Sequence, residues 1–361
     1  MTAYYLSFGC KVNQYETNAL RGMLSQEGIQ PVEQPEDADL ILVNSCTVTA
    51  SSDRKVRHAL RSLRSRCPAA KIVLTGCLPQ AHPDAAQLCP EADLITGTKD
   101  RAALIQRIRQ LMESAVPWDG VTPYMPGEGY ELLPPAENAD RTRAFIKIQD
   151  GCNQFCSYCI IPYARGRCRS KPREALAQEA AQMAQAGCRE AVLIGINLAF
   201  YGMEWQGDLG DAVDICCAVS GIDRVRLGSL EPEKLSDDLL RRLAAHPQFC
   251  PQFHLSLQSG CDRTLRAMNR HYTTAEYADL AARIRRIFPD AALTTDVMVG
   301  FPGETEADFA RSLEFVREMG FAKVHVFPYS PREGTAAARM PEQVLHKILR
   351  ILFIGLHTRI S

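Results

Sequence analysis

Short apolar runs and amphipathic stretches alternate through the first third of the chain. The apolar runs AYYLSFG (3–9), ADLILVN (38–44) and KIVLTG (71–76) have the length and composition of strands. The stretches between them, at 13–28 and 51–66, have the pattern of helices. Strands that alternate with helices form a parallel sheet, so this third is predicted to be an open parallel α/β domain.

A second alternation follows, in which strand-like runs are again separated by helical segments. The six runs are RAFIKIQ (143–149), EAVLIG (190–195), RVRLGSL (224–230), FHLSLQ (253–258), ALTTDVMVG (292–300) and KVHVF (323–327). Six such units predict a partial (β/α)6 barrel. In a barrel of this kind the active site lies at the carboxyl ends of the strands. The overall fold class is therefore α/β.

The two alternations define the expected domains. Residues 1–114 form the first domain, and residues 141–339 form the barrel. The stretch 115–140 is rich in Pro and Gly and has neither period, which predicts a linker. The closing residues 340–361 are apolar and helix-like, and are expected to form a helical tail.

Composition and charge limit the classes of partner and compartment that the chain can have. The chain is 46% hydrophobic and has a formal net charge of -1, so any contact with a polyanion must use a local basic patch. It has no apolar run long enough for a membrane span and does not start like a signal peptide, which predicts a cytoplasmic protein without membrane contact. In a reducing compartment, its fourteen cysteines favour metal binding, catalysis or burial over disulfides.

Three cysteines follow the three strands of the first domain. Cys10, Cys46 and Cys77 each come directly or almost directly after a strand-like run. Because the loops after parallel strands meet at one edge of the sheet, these cysteines are expected to lie together. Burial of three unrelated cysteines is the alternative interpretation, and it is weakened by their equivalent positions.

A second triple stands at the predicted mouth of the barrel, after its first strand. Cys152, Cys156 and Cys159 have the spacing C-x3-C-x2-C. Thiolates are the ligands of iron–sulfur clusters, and three of them leave one iron of a four-iron cluster open for another ligand. A zinc site is the competing hypothesis, although no fourth Cys or His falls at the spacing of a zinc ribbon.

The motifs as a set resemble the radical S-adenosylmethionine (SAM) methylthiotransferase family. They cover nearly the whole chain in order: SFGCKVNQYET, VNSCTVT, LTGC, DGCNQFCSYCIIPYARG, HLSLQSGCD and DVMVGFPGET. GCKVNQYE, KIQDGCN, LIGIN and HVFPYSPREGTAAA are most similar to the branch that modifies N6-threonylcarbamoyladenosine beside the tRNA anticodon. The isopentenyladenosine branch and the branch acting on a ribosomal-protein aspartate remain alternatives, as does a non-catalytic iron–sulfur or zinc module.

The resemblance implies two 4Fe-4S clusters. Cys152, Cys156 and Cys159 would hold the radical SAM cluster, and Cys10, Cys46 and Cys77 would hold the auxiliary cluster. It also implies that SAM, cleaved reductively at the first cluster, gives a radical that abstracts hydrogen from C2 of the adenine, where the methylthio group is then added. A reducing electron donor and the tRNA anticodon loop are the expected partners of a monomeric enzyme.

Residues at the strand ends of the barrel are candidates for SAM binding. They are an aromatic beside the third cysteine, three polar side chains and a glycine that lets the backbone approach the adenosine: Tyr158, Asn197, Glu231, Gln258 and Gly300. Core packing for the tyrosine and strand-end hydrogen bonding for the polar residues are the alternative interpretations.

A basic segment follows the second triple. Arg165, Arg167 and Arg169 are predicted to contact RNA phosphates near the cluster. The arginines and lysine of 51–66 are interpreted as a solvated helix face. Members of the family usually continue into a small RNA-binding β-barrel, which this sequence is expected to lack; tRNA binding is then expected to depend heavily on the remaining basic residues.

Overall fold

The computed structural model describes residues 1–114, 120–135 and 142–344. The chain divides into two compact units. The first comprises residues 1–140, 150–152 and 160–171, and the second comprises residues 141–149, 153–159 and 172–361. The segments 150–152 and 160–171, which the sequence pattern assigns to the barrel, therefore group with the first unit.

The first unit is built on a five-stranded parallel sheet of order β2-β1-β3-β4-β5. Its strands are β1 (Thr2–Ser7), β2 (Gln30–Pro31), β3 (Leu40–Ser45), β4 (Lys71–Gly76) and β5 (Leu94–Ile95). The three strands expected from the apolar runs are present and adjacent, with Ala3 beside Leu40 and Leu40 beside Lys71. The predicted parallel α/β domain is confirmed. The edge strands β2 and β5 have two residues each, too few to have a periodicity.

Five helices belong to the sheet: α1 (Lys11–Gln26), α2 (Ala50–Arg66), α3 (Cys77–Ala81), α4 (Ala85–Leu88) and α5 (Arg101–Glu113). Every residue of β3 is buried, because helices cover both faces of the sheet. Ile41 and Val43 pack with α2 residues on one face, whereas Leu40 and Leu42 pack with α1 and α5 on the other. This alternation explains why residues 40–43 of β3 are all apolar.

Three short elements follow the first barrel strand, β6 (Arg143–Lys147). They are β7 (Gln149–Asp150), α6 (Ile161–Arg165) and β8 (Arg169–Ser170). The helix α6 begins with Pro162 in its first turn, where the missing N–H is tolerated, and ends at Gly166. α6 and β8 belong to the first unit.

The second unit contains the remaining strands in two parallel sheets, of order β10-β9-β6 and β11-β12-β13-β14. They are β9 (Glu190–Ile194), β10 (Arg224–Leu227), β11 (Ser229–Leu230), β12 (Gln252–Leu255), β13 (Ala292–Val299) and β14 (Lys323–Pro328). All six predicted runs form strands, which confirms the partial barrel. One run, RVRLGSL, is divided at Gly228 between the two sheets.

Helices connect these strands, as a parallel arrangement requires. They are α7 (Arg173–Gln185), α8 (Leu209–Cys217), α9 (Asp237–Ala244), α10 (Asp262–Ala267), α11 (Thr274–Ile287) and α12 (Glu306–Glu318). Capping boxes start three of them, at Asp208, Thr273 and Thr305. In a box the cap side chain and the side chain three residues later each accept a hydrogen bond from a free backbone N–H, which explains these start points.

The described part of the predicted linker, residues 120–135, belongs to the first unit. Within 120–135, Glu131 forms an ion pair with Arg101, and Glu128 forms one with Lys99. Of the predicted tail, residues 345–361 lie outside the described residues. Across the described ranges, no helix combines the length and apolarity that crossing a bilayer demands.

Candidate functional site

The structure brings Cys10, Cys46 and Cys77 together at the carboxyl edge of the first sheet. Cys10 is the N-cap of α1, Cys46 directly follows β3, and Cys77 is the first residue of α3, directly after β4. The Asn13 Oδ1 lies 3.8 Å from the Cys10 Sγ and 3.9 Å from the Cys77 Sγ. The convergence expected from the sheet topology is therefore present.

Two glycines allow the turns to approach this closely. Gly9, before Cys10, has a φ of +93°, and a Cβ there would lie 2.7 Å from the Cys46 Sγ. Gly76, before Cys77, has a φ of +101°, and a Cβ there would lie 2.5 Å from the Ser45 carbonyl oxygen. Because neither position has space for a side chain, both turns can lie directly against the Cys46 loop.

Asn13 connects the loops that carry Cys10 and Cys46. It is completely buried, and its Nδ2 donates to the carbonyl oxygens of Phe8 at 3.0 Å and Ser45 at 2.8 Å. These acceptors immediately follow β1 and end β3, respectively. One amide side chain therefore fixes the spacing of the Cys10 and Cys46 loops. Asn13 was not among the residues predicted from the sequence; its position within GCKVN, three residues after a candidate ligand, was the available signal.

Arg165 reaches the same cluster of cysteines from α6. Its side chain is 0% exposed, and its Nε lies 3.4 Å from the Cys77 Sγ. The Nη atoms bind the two carboxylate oxygens of Glu16 at 2.7 and 2.9 Å, and Nη2 donates to the Asn13 Oδ1 at 2.6 Å. A positive charge is thus placed beside a thiol that is itself completely enclosed.

Burial and the Arg165 charge have opposite effects on the pKa values of the Cys77 and Cys46 thiols. Burial raises the pKa of Cys77 to about 12, and Arg165 opposes the rise. Burial also raises the pKa of Cys46, again opposed in part by Arg165. Binding of iron requires thiolates, and a ligand set of three sulfurs with an adjacent cation fits an iron–sulfur cluster.

The described residues do not form a site for a single metal ion. Within the described ranges, no three Cys, His, Asp or Glu side chains converge as one metal ion would require. The thiolates of a four-iron cluster bind different irons, so their sulfurs need not converge on one point.

The second triple is distributed over both units. Cys152 belongs to the first, where its N–H donates to the Gly166 carbonyl at 3.0 Å. Cys156 and Cys159 belong to the second, in a turn closed by a hydrogen bond of 2.9 Å from the Cys159 N–H to the Cys156 carbonyl. All three cysteines are partly exposed.

Arg270 contacts Cys156 within the second unit. Its Nη1 lies 3.3 Å from the Cys156 Sγ and 3.2 Å from a carboxylate oxygen of Glu231, and its Nη2 binds the other oxygen. The Nε donates to the Tyr272 hydroxyl at 3.0 Å. Burial raises the pKa of Glu231, although Arg270 opposes this. Arg270 was not predicted from the sequence, because no spacing relates it to the cysteines.

Four of the five SAM candidates follow strands of the second unit, and Tyr158 lies in the cysteine loop. Glu231 is connected by Arg270 to the Ser256 carbonyl, two residues before Gln258. Gln258 has a φ of +66°, and within the described part of the chain its buried Oε1 has no hydrogen-bond partner. A strained residue with an unsatisfied amide oxygen is what a ligand-binding position would present.

The other three candidates lie as follows. Tyr158 opposes the rise that burial causes in the pKa of the Cys156 thiol, and its ring meets that of Phe301 edge-on at 6.4 Å. The Gly300 N–H, just after β13, donates to the Glu304 carboxylate at 2.5 Å. Asn197 is buried after β9, and its N–H donates to the Gln149 Oε1 at 2.7 Å. Tyr158 also packs against a core cluster, as the alternative interpretation proposed.

The RNA-binding prediction requires a correction. Arg165 is buried against Glu16, and Arg169 is buried with its guanidinium over the Tyr124 ring at 4.5 Å. Because both side chains are committed to protein partners inside the fold, they do not present their charge to a phosphate backbone. Arg167 is exposed and lines an open groove of about 700 Å³ together with Tyr163, whose side chain is 53% exposed.

Comparison with known proteins identifies the family. Residues 2–97 match the uncharacterized protein family UPF0004, and residues 146–316 match the radical SAM superfamily. The threonylcarbamoyladenosine tRNA methylthiotransferase MtaB of Bacillus subtilis is 38% identical over 95% of this chain and 76% of its own length. The chain belongs to the radical SAM methylthiotransferase family.

Other relatives carry two different names at similar identity. The MtaB protein of Thermotoga maritima is 40% identical over 92% of this chain and 76% of its own length. The tRNA-2-methylthio-N(6)-dimethylallyladenosine synthase of Pelotomaculum thermopropionicum is 38% identical over 94% of this chain and 78% of its own. This radical SAM methylthiotransferase is an enzyme, and its radical SAM domain implies one 4Fe-4S cluster and SAM as cofactors.

A solved structure shares the fold of this methylthiotransferase. The radical SAM methyltransferase TsrM of Kitasatospora setae has a TM-score of 0.67, covering 93% of this chain and 77% of its own, at 13% identity. At that identity the likeness extends to the fold alone, and it agrees with the α/β architecture described above.

Proposed function

We propose that the enzyme adds a methylthio group to C2 of N6-threonylcarbamoyladenosine beside the tRNA anticodon, using two 4Fe-4S clusters. The observation that carries the proposal is the convergence of Cys10 and Cys77 around Asn13, with Cys46 against the Gly9 turn. One cluster site suffices for reductive cleavage of SAM, and a second site with three thiolates can hold the cluster from which a methylthio group takes its sulfur. The names of the Bacillus and Thermotoga relatives support the choice of nucleoside.

The residues of the chain have distinct tasks in this proposal. Cys152, Cys156 and Cys159 would hold the radical SAM cluster, and Cys10, Cys46 and Cys77 would hold the auxiliary cluster. When bound, the clusters and SAM supply the radical and sulfur chemistry. Tyr158, Asn197, Glu231, Gln258 and Gly300 are proposed to bind and orient SAM, and the unsatisfied Gln258 Oε1 supports that role.

We propose the Arg167–Tyr163 groove as a contact surface for tRNA. An exposed aromatic ring can stack on an unpaired base, and an exposed guanidinium can bind a phosphate. Met125, 61% exposed, adds apolar surface to the same groove. An anticodon loop, with its unstacked bases and dense phosphates, has the matching chemistry.

The test is nucleoside profiling of tRNA from a strain without this gene. We expect 2-methylthio-N6-threonylcarbamoyladenosine to disappear and N6-threonylcarbamoyladenosine to accumulate, with recovery on complementation by the wild-type gene but not by the Cys46→Ala gene. If the methylthio-dimethylallyladenosine nucleoside disappears instead, the substrate is dimethylallyladenosine in tRNA. The name of the Pelotomaculum relative favours this second candidate. An unchanged profile would overturn the proposal.

A further inference from the structure

Glu16 is the centre of a buried charge network in the first unit. Its side chain is 0% exposed and is bound by two arginines that are themselves buried. Arg165 binds both carboxylate oxygens, and Arg101 binds one of them at 3.0 Å. Asp150 adds a second carboxylate, 3.3 Å from the Arg165 Nη1. Charges buried so completely require partners of this kind, so the network holds the Arg165 side chain in one orientation.

That orientation directs the remaining donor of Arg165 at a cysteine. The Nε lies 3.4 Å from the Cys77 Sγ, and the Nη2 contacts the Asn13 Oδ1, which itself lies 3.9 Å from the same sulfur. A guanidinium keeps its charge under all ordinary conditions. In a site without solvent, its attraction for negative charge on the sulfur is much stronger than it would be in water.

We propose that Arg165 is a positioning residue that sets the reduction potential of the auxiliary cluster through Cys77. This inference rests on the proposed second cluster. The fixed guanidinium and its N–H···S hydrogen bond favour the more negative, reduced state of a cluster bound to that sulfur, because hydrogen bonds to ligating sulfurs and local charge are what tune such potentials. Arg165 thus acts on the cluster and not on RNA.

The experiment isolates the auxiliary cluster. In the full-length chain carrying Cys152→Ala, Cys156→Ala and Cys159→Ala, reconstituted anaerobically, the remaining iron–sulfur signal comes from the other triple. Its midpoint potential is measured by a redox titration followed by electron paramagnetic resonance. We expect Arg165→Gln to make the potential more negative by about 59 mV, the one-electron equivalent of a tenfold change in equilibrium. Arg165→Lys, which keeps the charge, should restore part of the shift.

Arg101→Gln is the matched control. Arg101 is as deeply buried as Arg165 and binds the same Glu16, but its ion-pair partners are Glu16 and Glu131 and not a thiol. It should lower thermal stability without moving the potential. If Arg165→Gln does not retain its iron, the potential of Arg165→Lys is compared with that of the wild type, and it should be more negative.

Three results would overturn the proposal. They are an unchanged potential in Arg165→Gln with its iron retained, an equal shift in both arginine variants, and an equal loss of iron from both. Absence of iron from the starting triple variant would refute the second cluster itself, and this outcome is distinguishable because Arg165 is intact there.

Discussion

Asn44 and Gly76 stand at the ends of neighbouring strands, so close that a Cβ on Gly76 would lie 2.4 Å from the Asn44 Oδ1. The same Cβ would meet the backbone of Ser45, which pairs with Gly76 in the sheet. The approach of the Cys77 turn to the Cys46 loop therefore depends on a residue without a side chain.

Gly76→Ala should accordingly destabilise the first unit and weaken its cluster site. Gly76 has φ +101° and ψ −156°, a backbone conformation essentially restricted to glycine. We expect a loss in the free energy of unfolding of about 1–3 kcal/mol from this conformation, with a further loss of about 1–3 kcal/mol from the steric overlap. Urea denaturation and iron content after reconstitution are the measurements.

Gly28→Ala is the control for that variant. Gly28 also has a positive φ, +79°, but a Cβ there would meet nothing within 4 Å. The Gly28→Ala variant should lose free energy of unfolding only through its backbone conformation, with no steric overlap, and should keep its iron. Equal effects of the two substitutions would show that the close approach at Gly76 has no importance.

Substitutions in the two cysteine triples should abolish different activities. Cys156→Ala should abolish formation of 5′-deoxyadenosine from SAM, and with it all product. Cys46→Ala should retain reductive cleavage of SAM but form no methylthiolated nucleoside, because the second site is proposed to supply the sulfur. Chromatography of both products after a single anaerobic incubation measures the two effects together.

Cys250→Ala is the matched variant for this pair. Cys250 is partly exposed, like Cys156, but belongs to neither triple. Both activities should remain at the wild-type rate. Wild-type product formation by Cys46→Ala would exclude the auxiliary role of that cysteine.

Arg167→Gln should weaken tRNA binding and reduce its dependence on salt. Loss of one phosphate contact lowers the slope of log K against log salt by about 1. Filter binding across a salt series measures both quantities. Arg241→Gln removes an arginine that is likewise exposed, but on α9 beside Asp237 and Asp238, and should leave the slope unchanged. The same slope for wild type and Arg167→Gln would remove the groove from the RNA surface.

Glu304 should make the enzyme less stable as pH rises. Burial raises the pKa of Glu304 from 4.5 to about 7, opposed by the N–H groups of Gly300 and Phe301. Between these values the folded state binds more protons than the unfolded state, so the free energy of unfolding falls as pH rises, by about 1–3 kcal/mol in all. Glu304→Gln should flatten this fall in urea titrations between pH 4.5 and 7. Glu306→Gln, on the exposed first turn of α12, should preserve it; an equally steep curve for Glu304→Gln would contradict the assignment.

Most of the framework could be predicted from the sequence, because it depends on short-range patterns. The apolar runs of β1, β3 and β4 have the length of buried strands, and each ends near a cysteine. Parallel pairing then places the three loops at one edge without further information. The six barrel strands follow from the same reasoning. The two-residue strands β2 and β5 could not be found, because two residues cannot have a period.

Whether the arginines after Cys159 face solvent or the protein interior could be decided only by the tertiary structure. A run of basic residues after Cys159 is typical of a phosphate-binding surface, and the sequence contains no local reason to read it otherwise. Glu16, the partner of Arg165, lies 149 residues away, and the ion pair forms only when α1 and α6 meet beside Cys77. A buried charge requires its counter-charge nearby in space and not in sequence. The chain by itself therefore determined where the cysteines gather, and the fold decided which arginine joins them.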